Sequence, residues 1–192
     1  MNGKTLLAAL AGAIVMYVFA SGFHMSPAAQ VGVSQSKDDA AMIAAMKTAT
    51  GDKAGMYHFP YMDMSSKDAM KTMTTALKTS PSGVLLYHPA GDTGISPTRL
   101  IGEFVVELVE VTLALWLLSM TTVSSFGGRV GFMAGVGLIA GITTNVSYML
   151  WFNYPLDYTV VNVVYEVLKF VIAGAVAAWI LGMKPKAAAA TA

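Results

Sequence analysis

Three carboxyl groups recur at helical spacing in a segment that is otherwise apolar. Glu103, Glu107 and Glu110 stand at positions i, i+4 and i+7, so a helix places them on one face. Arg99 precedes Glu103 by one turn and can form an ion pair with it. Charged side chains inside a bilayer are costly and usually mark a site that handles ions or protons. These residues are therefore the first candidates for chemistry.

A second apolar segment carries polar groups at the same spacing, one of them basic. Asn162, Glu166 and Lys169 stand at i, i+4 and i+7. If both segments cross the bilayer in the same direction, a rise of about 1.5 Å per residue brings Glu110 to the depth of Lys169. We expect these two residues to pair. Glu107 and Glu166 then share a depth without a basic partner, and two close carboxyl groups share a proton.

This ionisable network can serve three purposes. The first is a proton- or cation-binding site, to which Thr144 and Asn145 of a neighbouring segment add oxygen ligands. The second is a structural network in which ion pairs and neutral glutamic acids join the helices. The third is an interface where the acids meet basic residues of a partner subunit. No histidine falls inside an apolar segment, which excludes a bis-histidine haem there and the Glu-x-x-His pattern of di-iron bundles.

All three histidines lie in the long polar stretch, and two of them, His24 and His58, have a methionine within two residues. Imidazole and thioether groups suit copper, especially Cu(I). The tentative ligands are His24, His58, Met62, Met64 and His88. Methionine is also a common gap-filler in protein cores, which is the competing explanation. Because the chain has no cysteine, disulfides, thiolate metal sites and thiol catalysis are excluded.

Membrane helices are the elements that must position these residues. Only 12% of the 192 residues are charged and 55% are hydrophobic, whereas a soluble domain averages about 25% charged residues. A helix needs about 20 apolar residues to cross a bilayer. The predicted spans are residues 4–23, 98–121, 128–151 and 158–182. The net charge of +1 gives no electrostatic basis for binding nucleic acid.

The basic residues that flank these spans predict the orientation in a bacterial inner (plasma) membrane. The positive-inside rule favours cytoplasmic termini. The cytoplasmic flanks then contain Lys4, Arg129, Lys184 and Lys186. Residues 24–97 are extracytoplasmic, and residues 183–192 form a cytoplasmic tail. The first span also has the features of a cleaved signal peptide, but we expect it to be retained as a helix.

Residues 24–97 have the pattern of a small α/β insertion. A helix is expected to begin at Ser36-Lys37-Asp38-Asp39, with a capping serine, and to end at Gly51. A second helix follows a cap at Ser65 or Ser66. Its apolar face contains Met70, Met73 and Leu77.

Two short extended segments accompany these helices. Residues 55–61 form one, which Pro60 interrupts, and residues 84–87 form the other. The insertion has few large apolar side chains and therefore a thin core. We expect it to lean on the membrane bundle or on a partner.

Glycines at regular spacing mark the third span. Small residues at this spacing let helices approach closely in lipid. They are Gly127, Gly131, Gly135, Gly137 and Gly141. Packing within a single four-helix bundle is the favoured explanation, and a homo-oligomer interface is the alternative.

Four short motifs resemble landmarks of an uncharacterised family of small bacterial membrane proteins. They are residues 19–27 (FASGFHMSP), 55–60 (GMYHFP), 83–87 (GVLLY) and 151–155 (WFNYP). The resemblance extends over most of the chain. It implies one helix, an exported segment and three further helices, and it implies no activity.

The expected fold is an all-α membrane protein with four transmembrane helices and a small extracytoplasmic α/β insertion between the first two. The expected function is non-catalytic: a structural or accessory subunit of a larger complex, in contact with lipid and with a protein partner or a second copy. One alternative is a small proton- or cation-coupled transport element based on Glu107 and Glu166. The other is periplasmic copper handling. No hydrolase, nucleotide-binding or zinc-protease motif occurs.

Overall fold

The computed structural model describes residues 2–63, 65–91 and 94–182. The chain divides into two compact units, Met1–Val33 with Ile95–Ala192 (the helical unit) and Ser34–Gly94 (the insertion unit). In chain order the helices and strands are α1 (Gly3–His24), α2 (Asp39–Thr50), β1 (Gly55–Phe59), α3 (Ala69–Thr79), β2 (Gly83–Tyr87), α4 (Pro97–Ser119), α5 (Phe126–Gly141), α6 (Ser147–Phe152) and α7 (Leu156–Gly182). A short 3-10 helix covers Pro27–Gln30, and a π-helical segment, Ile142–Val146, joins α5 to α6.

Among the described residues, three helices are long and apolar enough to cross a membrane. They are α1, the continuous helix Phe126–Phe152 and α7. The sequence predicts a fourth span at residues 98–121. A helix of 23 residues, α4, does form there. It is not among the three, since it carries Arg99 and three glutamates within an otherwise apolar run.

Side chains just before the long helices satisfy the free N–H groups of their first turns. Asn2 accepts a hydrogen bond from the Thr5 N–H at 3.0 Å and begins α1. Ser125 accepts one from the Gly128 N–H at 3.1 Å and begins α5. Ser96 has the same role for α4. Local sequence therefore sets where these helices begin.

The helical unit is built around α7. Helix α1 packs along both α4 and α7, and α5 packs along α7. The two helices of each packed pair run antiparallel, because residue numbers rise along one helix as those of its neighbour fall. At Gly12 an added Cβ would lie 3.0 Å from Val111 Cγ1 and 3.4 Å from the Ala173 carbonyl oxygen. The missing side chain lets three helices meet there.

The glycines of the third span fall into two groups. Gly137 and Gly141 lie against α7, where an added Cβ would come within 2.7 Å and 3.2 Å of its backbone. These two are helix-packing positions within the bundle. No atom lies within 4 Å of the Cβ position at three others, Gly127, Gly131 and Gly135.

The insertion unit contains a two-stranded antiparallel sheet with helices before and between the strands. The register runs from Gly55 opposite Tyr87 to Phe59 opposite Gly83. The two predicted strands are thus confirmed. Gly51 ends α2 in the left-handed conformation, at a φ of 61°, as expected for a residue without Cβ.

The predicted caps of both insertion helices are wrong. The cap of α2 is Asp38, which accepts a hydrogen bond from the Ala41 N–H at 2.9 Å, while Ser36 accepts one from the Asp38 N–H. Helix α3 begins only at Ala69, and Asp63 holds the Ser65 N–H and hydroxyl instead. Asp38 directly precedes the first turn of α2 and so reaches its free N–H groups, whereas Asp68, which precedes α3, makes no side-chain cap.

The core of the insertion unit is thin. Among its described residues only Thr50 and Ala69 are buried. Met70 and Leu77, which were expected to face a core, are exposed. The other large exposed apolar side chains of this unit are Met42, Ile43, Met56, Phe59, Tyr61 and Leu86.

Candidate functional site

A buried lysine joins two helices of the helical unit. Lys169, at the middle of α7, is only 5% exposed. Its Nζ lies 3.2 Å from Glu110 Oε2 on α4 and 3.2 Å from Glu166 Oε2 on its own helix. The contact with Glu110 is an ion pair without hydrogen-bond geometry. The pairing of Glu110 with Lys169 is the one that the sequence predicts.

Glu166 differs from its expected state. The depth argument leaves it without a basic partner, and this expectation is wrong. Residues three apart on a helix lie side by side, so Lys169 reaches both carboxylates. The side chains of Glu110 and Glu166 are 34% and 22% exposed.

Glu107 is the most deeply buried acid of the helical unit. It is fully buried, and neither carboxyl oxygen has a hydrogen-bond partner among the described residues. Along α4 it stands between two residues that contact α1. The Phe104 ring contacts Tyr17, with 5.8 Å between ring centroids, and Val111 packs against Gly12. Helix α1 covers Glu107 at this level. The side chains of α1 between the two contacts, Ala13 and Met16, are fully buried.

Aromatic rings close the site toward the start of α7. Tyr165 stacks on Phe23, with 4.2 Å between ring centroids, and on Phe19 at 6.0 Å. The Lys169 ammonium lies 5.7 Å from the Tyr165 centroid and 5.8 Å from that of Phe170, within cation–π range. Sequence reasoning missed Tyr165, although its place one turn before Lys169 puts both on one face.

The remaining members of the predicted network lie elsewhere. Glu103 and Arg99 are exposed on the first turns of α4. The Asn162 amide donates to the Tyr158 carbonyl at 2.9 Å and so bonds its own helix. The buried Asn145 likewise donates to the Gly141 carbonyl at 3.1 Å, within the π-helical segment. Both of these bonds go to backbone carbonyls, so neither one reaches a glutamate of the ionisable network.

Three carboxyl groups and one ammonium thus meet inside the helical unit. Lys169 forms an ion pair with both Glu110 and Glu166, while Glu107 receives no hydrogen bond from the described residues. A buried, unpaired carboxylate costs several kcal/mol. The chemistry that this arrangement allows is binding and release of a proton or a cation at Glu107.

The tentative copper ligands are divided between the two units of the chain. His24 belongs to the helical unit, where its ring contacts Phe23 and Tyr165. His58 and His88 belong to the insertion unit. His58 lies opposite Val84, and His88 follows the last pair at Tyr87, about four positions or 14 Å along the sheet.

The other two tentative ligands are methionines near the end of β1. Met62 follows β1, and Met64 lies outside the described residues. In the parts of the chain that the structure describes, no group of three or more His, Asp or Glu side chains is placed to hold a metal.

Comparison with known proteins gives no relative from which a role could be transferred. No family model matches the chain, and no curated protein or solved structure is significantly similar to it. The function is therefore inferred from the site itself.

Proposed function

We propose that the chain is a multi-pass protein of the bacterial inner membrane whose bundle binds a proton or cation at Glu107, as a small ion-coupled transport element. Both termini are cytoplasmic, the insertion is extracytoplasmic, and α4 is the fourth span. The resemblance to small four-span bacterial membrane proteins supports this layout. The three long apolar helices support multi-pass insertion.

The two faces of α4 support its role as a span. Its buried face, with Glu107, packs against α1. The exposed side chains outside this face are apolar and suit lipid: Ile101, Val105, Val106, Val109 and Leu113. A helix with carboxyl groups turned inward and aliphatic groups turned outward is typical of functional membrane bundles.

The single observation that carries the proposal is the carboxyl group of Glu107. Acid side chains that only join helices form hydrogen bonds or ion pairs across the interface, as Glu110 does with Lys169. Glu107 is fully buried and forms no hydrogen bond with the described residues. A group that costs stability without joining anything is better explained by function than by structure.

The test is ion flux in proteoliposomes that contain the purified protein and a pH- or cation-sensitive dye. Glu107→Gln should abolish flux, while helix content and elution volume stay unchanged. Glu103→Gln is the matched control, because it removes an exposed carboxyl group one turn away. Undiminished flux in E107Q would overturn the proposal.

A second candidate is an accessory subunit of a larger complex. The observation that favours it is the exposed apolar surface of the insertion unit, which includes Met42, Ile43 and Met70 outside any predicted span. Such patches on a water-facing unit often mark contacts with another protein. Purification in mild detergent should then yield a complex, and a lone monomer would contradict this candidate.

A further inference from the structure

We infer that the species held at Glu107 is a proton, and that Lys169 is the positioning residue whose ammonium responds when this proton leaves. This inference rests on the proposed function, and it names the ion. It also assigns the two charged states of the site, which differ in where the ammonium lies.

The ligands around Glu107 suit a proton better than a metal cation. Metal cations of the hard type need about six oxygen ligands, whereas a proton needs only one carboxyl oxygen. The Lys169 ammonium already occupies the position between Glu110 and Glu166. A second cation placed beside it would be repelled.

The titratable and charged groups near Glu107 come from all the helices around it. Those of α4 are Glu103 and Glu110, and those of α7 are Tyr165, Glu166 and Lys169. On α1 the nearest titratable side chain is Tyr17. Its ring contacts Phe104, which precedes Glu107 by one turn of α4. Lys169 is thus the one cation in this set of groups.

Proton release adds a third carboxylate to a site that holds one ammonium. The O–H bond of the Glu107 carboxyl group breaks, its electron pair stays on the carboxylate oxygen, and a water molecule takes the proton as hydronium. The carboxylate then attracts the Lys169 ammonium. Glu110 and Glu166 share this ammonium, so it can turn toward Glu107 while it stays paired with one of them.

Infrared spectroscopy of the reconstituted full-length protein tests the inference. We expect a C=O band of a protonated carboxylic acid near neutral pH that shifts in D2O and disappears at high pH. The band should be lost in Glu107→Gln and kept in the control Glu103→Gln. A band unaffected by E107Q, or one that Na⁺, K⁺ or Mg²⁺ removes at constant pH, would overturn it.

Lys169→Gln tests the positioning role of Lys169 through the pH dependence of this band. A residue that only packs against its neighbours would leave that pH dependence unchanged. Without the ammonium, the carboxylate at Glu107 has no cation to stabilise it, so the band should persist to a pH at least about one unit higher. Lys169→Arg should restore the original pH dependence. An unchanged dependence in folded K169Q would exclude this role.

The outcomes of the two proposals can be distinguished. A titrating carboxyl band at Glu107 without ion flux would contradict the transport function and leave the proton assignment intact. Flux without such a band would contradict the proton assignment alone.

Discussion

At the scale of single residues, one helix holds three glutamates in three different environments. Glu103 is exposed, Glu110 is partly exposed and paired with Lys169, and Glu107 is fully buried without a hydrogen bond. All three recur at helical spacing on one apolar helix, so the difference comes from what faces each of them. Glu107 lies on the face of α4 that carries Phe104 and Val111, which contact α1.

Glu107→Met should stabilise the protein. Methionine has a similar volume and no polar atoms to desolvate, so we expect the free energy of unfolding to rise by about 1–3 kcal/mol. Thermal unfolding in detergent measures this effect. The exposed control Glu103→Met should change stability by less than about 0.5 kcal/mol. A marked loss of stability in E107M would show that the carboxyl group makes structural contacts.

At the scale of elements, glycines decide how closely the helices approach. An alanine Cβ at position 137 would lie 2.7 Å from the Glu166 carbonyl oxygen and 2.9 Å from Phe170 Cβ. The backbone of α7 cannot yield to such a contact without a shift of the whole helix. The position of Glu166 and Lys169 in the site therefore depends on a glycine of α5.

Gly137→Ala should lower the free energy of unfolding by about 1–3 kcal/mol, because it overpacks the α5–α7 contact. Gly135→Ala is the matched control on the same helix, since its Cβ position is open. It should be neutral or stabilising by up to about 1 kcal/mol through helix propensity. Both are measured by thermal unfolding in detergent, and equal effects would contradict this packing.

In the insertion unit, a polar cluster joins the end of α2 to β2. The Tyr87 hydroxyl donates to Asp52 Oδ1 at 2.7 Å, and Lys47 Nζ lies 3.4 Å from Asp52 Oδ2. The Tyr87 hydroxyl and, to a smaller extent, Lys47 hold the pKa of Asp52 below its usual value. These contacts stabilise the ionised carboxylate in the folded protein.

This cluster makes the stability of the insertion unit depend on pH. Because the folded pKa of Asp52 is lowered, its contribution is present above the unfolded pKa of about 3.9 and is lost as pH falls through the folded value. Tyr87→Phe should reduce this acid sensitivity, and Tyr61→Phe, at an exposed ring, should not. Hydrogen exchange of β1 and β2 amides in the full-length protein measures the effect. Identical acid profiles in wild type and Y87F would contradict it.

At the scale of the whole molecule, the crossing of the membrane by α4 determines on which side the α4–α5 connection lies. With four spans, the α4–α5 connection lies in the cytoplasm, opposite the insertion. With only three, that connection lies on the same side as the insertion. The chain has no native cysteine, so a single introduced thiol reports its own location.

Single cysteines at two exposed serines distinguish these topologies. Ser82→Cys, in the insertion, should react in intact spheroplasts with a maleimide that cannot cross membranes. Ser124→Cys, between α4 and α5, should react only after the membrane is permeabilised. Labelling of both positions from outside would contradict the four-span topology.

Parts of the site follow from local spacing, and other parts do not. The Glu110–Lys169 pair follows from helical rise and the direction of the helices. The pairing of Glu166 could have been found from its i, i+3 relation to Lys169. The roles of Tyr165 and α1 could not, because they depend on the rotation of each helix about its own axis.

The sequence by itself determined the apolar segments, both strands of the insertion, the end of α2 at Gly51 and the face shared by the glutamates. These features depend on periods of 2 and 3.6 residues and on local backbone chemistry, which a single segment carries. Only the tertiary structure decided which glutamate is buried and which glycines make contacts. Helix rotation is set by packing against neighbours, at positions such as Gly12 and Gly137, and no single segment contains that information.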